Sequence, residues 1–172
     1  MKKIIILFLI LLSVGLGNFI SAQRIIFAPS TKIHFGNETT YGVSLGIDLI
    51  EKNYMKSIAY VEPRLGTNLK TFAFGISFEK DLINSGKSAF YGGISPVYLT
   101  AYTKENELAG IGFSFKFGLQ KIQNIWTKRY NGDIKLFPFI EAGFEFMELH
   151  SGFMKGDYYN NSGLIFRIGV RI

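Results

Sequence analysis

Two histidines and no cysteine bound the chemistry open to this chain of 172 residues. Without Cys there is no disulfide, no thiolate metal site and no thiol nucleophile. The imidazoles are His34 and His150. His150 is followed directly by Ser151, which sets a base beside a hydroxyl, two components of an acyl-hydrolase centre. Adjacent residues of a strand point to opposite faces, so these two cannot readily meet as base and nucleophile. We read His150 as a loop residue at a rim and His34 as part of a polar interior. The loop tip Asp157-Tyr158-Tyr159-Asn160-Asn161 offers oxygen ligands that calcium could use, although a polar aromatic loop needs no ion to explain it. No other His, Asp or Glu spacing suits a metal, and no glycine-rich loop follows a strand and opens a helix. No catalytic, cofactor or metal residue is therefore assigned.

The remaining chemistry is that of charge in an alternating context. Ile111, Phe113, Phe115, Phe117 and Leu119 alternate with Gly110, Gly112, Ser114, Lys116 and Gly118. As a strand, this stretch has one bulky apolar face and one small or charged face. The pattern recurs along the chain and puts Lys32, Asp48, Glu62, Arg64, Glu79, Lys116, Glu141, Glu145, Arg167 and Arg171 on the small-residue face. Five acids match five bases.

Eight strands must position these residues: 24–35, 41–50, 57–68, 71–80, 88–102, a sixth centred on 110–119, 134–149 and 162–172. Pro29 suggests a first strand in two parts, and Pro63 a bulge in the third. Gly92-Gly93 and Pro96 suggest a bulge in the fifth that shifts its parity. Turn signals separate most strands, and Asn131-Gly132 marks a hairpin within the long connection 119–133. Most strands reach ten residues or so, longer than the roughly five or six of soluble sheets and close to the roughly 9–11 of membrane strands.

The first segment reads differently. Met1-Lys2-Lys3 is a positive start, Ile4 to Leu12 is unbroken apolar sequence, and Ile20-Ser21-Ala22 ends in a small residue. This is the layout of a cleaved secretory signal peptide over residues 1–22, leaving one domain over 23–172. The formal charge of +6 falls by two with Lys2 and Lys3, and no Lys or Arg block suggests a nucleic-acid surface.

Alternation alone does not say which face is inside. A soluble ligand-binding barrel would bury the apolar face, whereas a membrane barrel inverts the arrangement. The 19 Gly favour inversion, because an eight-stranded barrel has a narrow interior that suits small residues, while a solvent-facing sheet gains nothing from them. The 17 Phe concentrate on the other face, where lipid and interfacial girdles would take them. Charged residues are 19% of the chain, against roughly 25% in soluble domains.

With that inversion, residues 23–172 resemble the small eight-stranded outer-membrane β-barrel proteins of the OmpA/OmpX kind, down to a final apolar strand, Leu164 to Ile172. The resemblance implies an all-β, antiparallel, up-and-down transmembrane barrel in the cell outer membrane of a Gram-negative bacterium. It implies a structural or surface-interaction role and a lumen plugged by side chains. Outer-membrane lipid and lipopolysaccharide would surround a monomer, and barrel assembly machinery would read the last strand. A lipid A deacylase barrel is the enzymatic alternative. Its His-x-Ser-Asn pattern becomes His150-Ser151 here, followed by Asn161-Ser162-Gly163 with no later acid.

Overall fold

The computed structural model describes residues 24–35, 38–52, 54–104, 107–122, 136–151 and 158–172. The expected signal segment 1–22, the expected hairpin at Asn131-Gly132 and Asp157 lie outside the described residues. The chain forms β1 (Ile25–His34), β2 (Thr39–Lys52), β3 (Met55–Leu65), β4 (Lys70–Asn84), β5 (Ser88–Tyr102), β6 (Glu107–Lys121), β7 (Phe137–Ser151), β8 (Tyr158–Asn160) and β9 (Gly163–Arg171). Each strand from β1 to β7 pairs antiparallel with the next, β7 pairs with β9, and β9 returns to β1. The result is a closed, eight-stranded, up-and-down barrel. β8 is the upper end of the eighth strand, split from β9 at Asn161 and Ser162. The split keeps its partner, since Asn161 N donates to Met147 O at 2.9 Å.

Strand stagger sets the width. Following paired positions from His34 through Gly163, Glu145, Ser114, Ser95, Ser77, Ile58 and Asp48 ends at Arg24, ten residues back along the first strand. Eight strands at this scale leave an interior that side chains can fill. Closure also removes sheet edges that would otherwise invite aggregation.

Local irregularities differ from the sequence expectation. β1 runs unbroken through Pro29, and β3 through Pro63. Both prolines are exposed. β5 has no bulge at Gly92-Gly93 or Pro96, and its register with β6 is continuous from Ser88 to Tyr102. Each proline forfeits a ladder bond on one side only: pairing lapses at Pro29 toward β9, at Pro63 toward β2 and at Pro96 toward β4, while the opposite neighbour stays in register. Register shifts instead occur between Asp48 and Ile50 on β2, and between Asp81 and Ile83 on β4.

The orientation of the faces is unambiguous. Phe113 and Phe117 are 51% and 56% exposed, while Lys116 between them is 6% exposed. The outer wall of β6 is apolar from Ala109 to Leu119, bounded by Glu107 and Lys121. At ~3.4 Å per residue and a tilt of ~40°, that stretch rises roughly 25 Å. Rings pack along this wall, with Phe144 4.1 Å from Phe146 and Phe115 edge-on to Phe146 at 6.1 Å.

Candidate functional site

The distinctive polar feature of the barrel is a column of buried charge. Inward positions of β1, β3, β4, β6, β7 and β9 aim nine of the ten charged residues singled out above at one another. Near the rim opposite the chain ends, Lys32 Nζ donates to Glu145 Oε1 and to Asn161 O, the latter at 2.6 Å. Arg64 grips the same carboxylate with both terminal nitrogens at 3.1 Å and donates Nε to Glu62 Oε1 at 2.9 Å. Glu62 is shared with Arg167, whose Nη2 lies 2.7 Å from Oε2. Arg167 Nη1 reaches Glu141 at 2.5 Å. Lys116 Nζ bridges Glu79 at 2.6 Å and Glu141 at 3.1 Å, and Arg171 Nη2 closes on Glu79 at 2.6 Å. A continuous chain of ion pairs thus runs from Lys32 to Arg171.

Burial makes this connectivity necessary. Lys32, Glu62, Arg64 and Glu145 have no exposed surface. A charge taken out of water without a partner costs several kcal/mol, so each must be met by opposite charge and hydrogen bonds. The arginines suit the task, because a planar fork can hold two carboxylate oxygens at once.

Asp48 departs from the expected network. It is buried, yet neither carboxylate oxygen has a hydrogen-bond partner among the described residues. Nor do Arg171 Nε and Nη1. The β2 bulge beginning at Asp48 shifts the local register, so alternation alone could not locate its carboxylate. Five bases and four glutamates are joined; Asp48 supplies the fifth negative charge without a direct contact.

Other members were missed. Tyr91 OH donates to Glu141 Oε2 at 3.1 Å, but the assumed parity shift in β5 hid that it faces inward. Arg167 lies over Tyr60 and Arg171 over both Tyr91 and Phe139, adding cation–π contacts. Lys56 forms a separate cluster nearer the chain ends with Asp81, Glu51 and Gln120, and Arg24 pairs with Glu51 at 3.2 Å. His34 Nε2 and Thr40 Oγ1 share a hydrogen bond at 2.9 Å, beside Lys32 in sequence rather than in the ion-pair chain.

Glycines create room for these groups. A Cβ at Gly93 would come within 3.1 Å of both Glu79 Cγ and Lys116 Cε, so that pair needs a bare position beside it. Tyr60 lies over Gly75 and Tyr91 over Gly118, each too close for a side chain there. A cavity of about 20 Å³ touches Tyr60, Glu79, Lys116, Glu141, Arg167 and Arg171, room for roughly one water.

The enzymatic candidates are not brought together in this way. His150 and Ser151 are consecutive on β7, and paired with Ala109 and Leu108 respectively. Their strand positions send them to opposite faces. Among the described residues, no three His, Asp or Glu side chains gather to hold a metal ion.

Comparison with known proteins locates the fold. The chain is similar to the crystal structure of Neisserial surface protein A (NspA), with a TM-score of 0.57. It shares the closed barrel fold. The match covers 87% of this chain and 94% of NspA at 13% identity, so the likeness to NspA is one of backbone architecture. No family model matches the sequence, and no curated protein does.

Proposed function

We propose that the chain is an integral outer-membrane β-barrel protein of the small OmpA/OmpX kind, with a structural or surface-interaction role and a lumen plugged by side chains. The observation that carries this is the inversion of ordinary burial. Large apolar residues cover the outside, while a connected set of charges occupies the inside. Water would penalise such a wall, whereas a hydrocarbon layer of about 25 Å matches it. The NspA fold supports the same reading. Lipid and lipopolysaccharide are then the surroundings of a monomeric barrel, and assembly machinery acts through the last strand, β9. We read the role as non-enzymatic, because His150 and Ser151 occupy adjacent positions of β7 that face opposite sides of the wall.

Two measurements test this. The protein should fractionate with outer membranes, and its unheated form should migrate apart from its boiled form on a gel. In a planar bilayer it should show no steady porin-like conductance at neutral pH, because the ion-pair column fills the lumen. Partition as a soluble species would defeat the membrane reading; a stable open channel would defeat the plug.

A further inference from the structure

The two rims of the barrel carry different charge, and the difference lies on the outer wall. One rim holds the chain ends, the β2–β3 and β4–β5 turns, and the ends of β6 and β7. There Lys52, Lys80, Lys87 and Lys121 are exposed. None of them pairs with a carboxylate among the described residues. The acids of this rim, Glu51 and Asp81, are instead drawn to Arg24 and Lys56.

The sequence builds this separation residue by residue. Glu51 pairs across the ladder with inward Lys56, while Lys52 pairs with exposed Met55. On β4, Lys80 also pairs with Met55, outside Phe78, while Asp81 faces the Lys56 cluster. On β6, Gln120 reaches inward to Lys56 and Lys121 continues the outward row from Leu119. At three strand ends a lysine thus stands outward beside an inward acid or amide. Lys87, in the turn before β5, adjoins Ile122, whose N donates to Lys87 O at 2.8 Å.

The opposite rim is different. Its corresponding strand ends carry Glu107, Glu148, Lys70, Tyr41 and Tyr102 on the outside, with Glu38 holding Asn68 N in the β3–β4 turn. Its charges are mixed.

We propose that the lysine arc at the chain-end rim binds the phosphates of anionic glycerophospholipids in the adjoining leaflet, a surface that rests on the membrane reading above. The lysines lie just beyond the apolar wall, where headgroups would sit. Their flexible stems can lie along apolar surface while the ammonium meets phosphate. Zwitterionic headgroups offer the same phosphate but also a compensating cation. Selectivity should therefore favour phosphatidylglycerol over phosphatidylcholine and weaken as salt screens it.

The test uses the full barrel in phosphatidylcholine vesicles doped with chain-labelled phosphatidylglycerol or phosphatidylcholine, with electron spin resonance reporting lipid held at the protein wall. We expect phosphatidylglycerol to be favoured roughly fivefold, the scale of one lysine near an anionic surface. The preference should fall to near parity in the Lys52→Gln, Lys80→Gln, Lys87→Gln, Lys121→Gln variant and at high salt. Heat-modifiable migration checks that this variant is folded. Lys70→Gln with Lys104→Gln, on the opposite rim, should keep the preference. A preference lost in this second variant and not the first overturns the proposal, as does equal binding of both lipids by the unaltered protein. Competition by lipid A that exceeds phosphatidylglycerol also overturns it, in favour of a lipopolysaccharide site. Absence of any wall-bound lipid overturns the membrane reading itself.

Discussion

Glu145→Ala is expected to destabilise the folded barrel by about 3–5 kcal/mol, the usual cost of removing one partner from a buried ion pair. Glu145 takes Arg64 on both oxygens and Lys32 on one of them. Its loss leaves Arg64 with Glu62 alone, and Lys32 with the Asn161 carbonyl as its hydrogen-bond partner. Both cations stay buried, because neither has exposed surface from which to reach water. Urea titration of the barrel in lipid vesicles would read the change. Asp48→Asn supplies the contrast. Its carboxylate accepts no hydrogen bond among the described residues, so removing the charge should change stability by less than about 1 kcal/mol, or raise it. Equal losses in the two variants would show that the contacts of the column do not govern its energetics.

The second large effect concerns the wall. Phe115 sits halfway down β6 and pairs in register with Phe144 and Ile94. On a lipid face, Phe115→Arg should cost about 2–4 kcal/mol, as arginine does near the midplane of a membrane barrel. On a water face, the same change at a residue 45% exposed would fall within roughly 0.5 kcal/mol. Phe115→Leu controls for the lost edge-to-face contact with Phe146. Folding yield and urea stability in vesicles distinguish the two cases. A tolerated Phe115→Arg would contradict a lipid-facing wall.

These expectations show which features alternation makes legible. The period-two pattern on Ile111 to Leu119 depends on neighbouring residues alone, so strand type, the two faces and the inward aim of Lys116 could be read from local sequence. Small residues opposite a Phe row then indicated which face would be enclosed. Partner identity is a different kind of information. Lys116 meets Glu79 and Glu141 because strand stagger brings β4, β6 and β7 to a common level, and stagger is a property of the closed ring. Bulges are similarly hidden. Asp48 and Asp81 lie at register shifts with no Gly or Pro beside them, whereas Pro29, Pro63 and Pro96 lose pairing with one neighbour and stay in register with the other, which leaves their strands unbroken. Tyr91 was obscured by the break wrongly placed in β5. The long connection after β6 leaves from the rim that also carries the chain ends, as an even number of strands requires.

The most direct test of the inverted arrangement follows β6 residue by residue. The chain has no native cysteine, so Ile111→Cys, Phe113→Cys, Phe115→Cys, Phe117→Cys, Leu119→Cys and Ser114→Cys each give one site for a nitroxide label. In outer-membrane lipid vesicles, labels at the five odd positions should collide freely with dissolved oxygen and poorly with a water-soluble nickel chelate. The label at Ser114 should be shielded from both. Ready collision of the nickel chelate with labels at 113, 115 and 117 would put that wall in water and contradict the account.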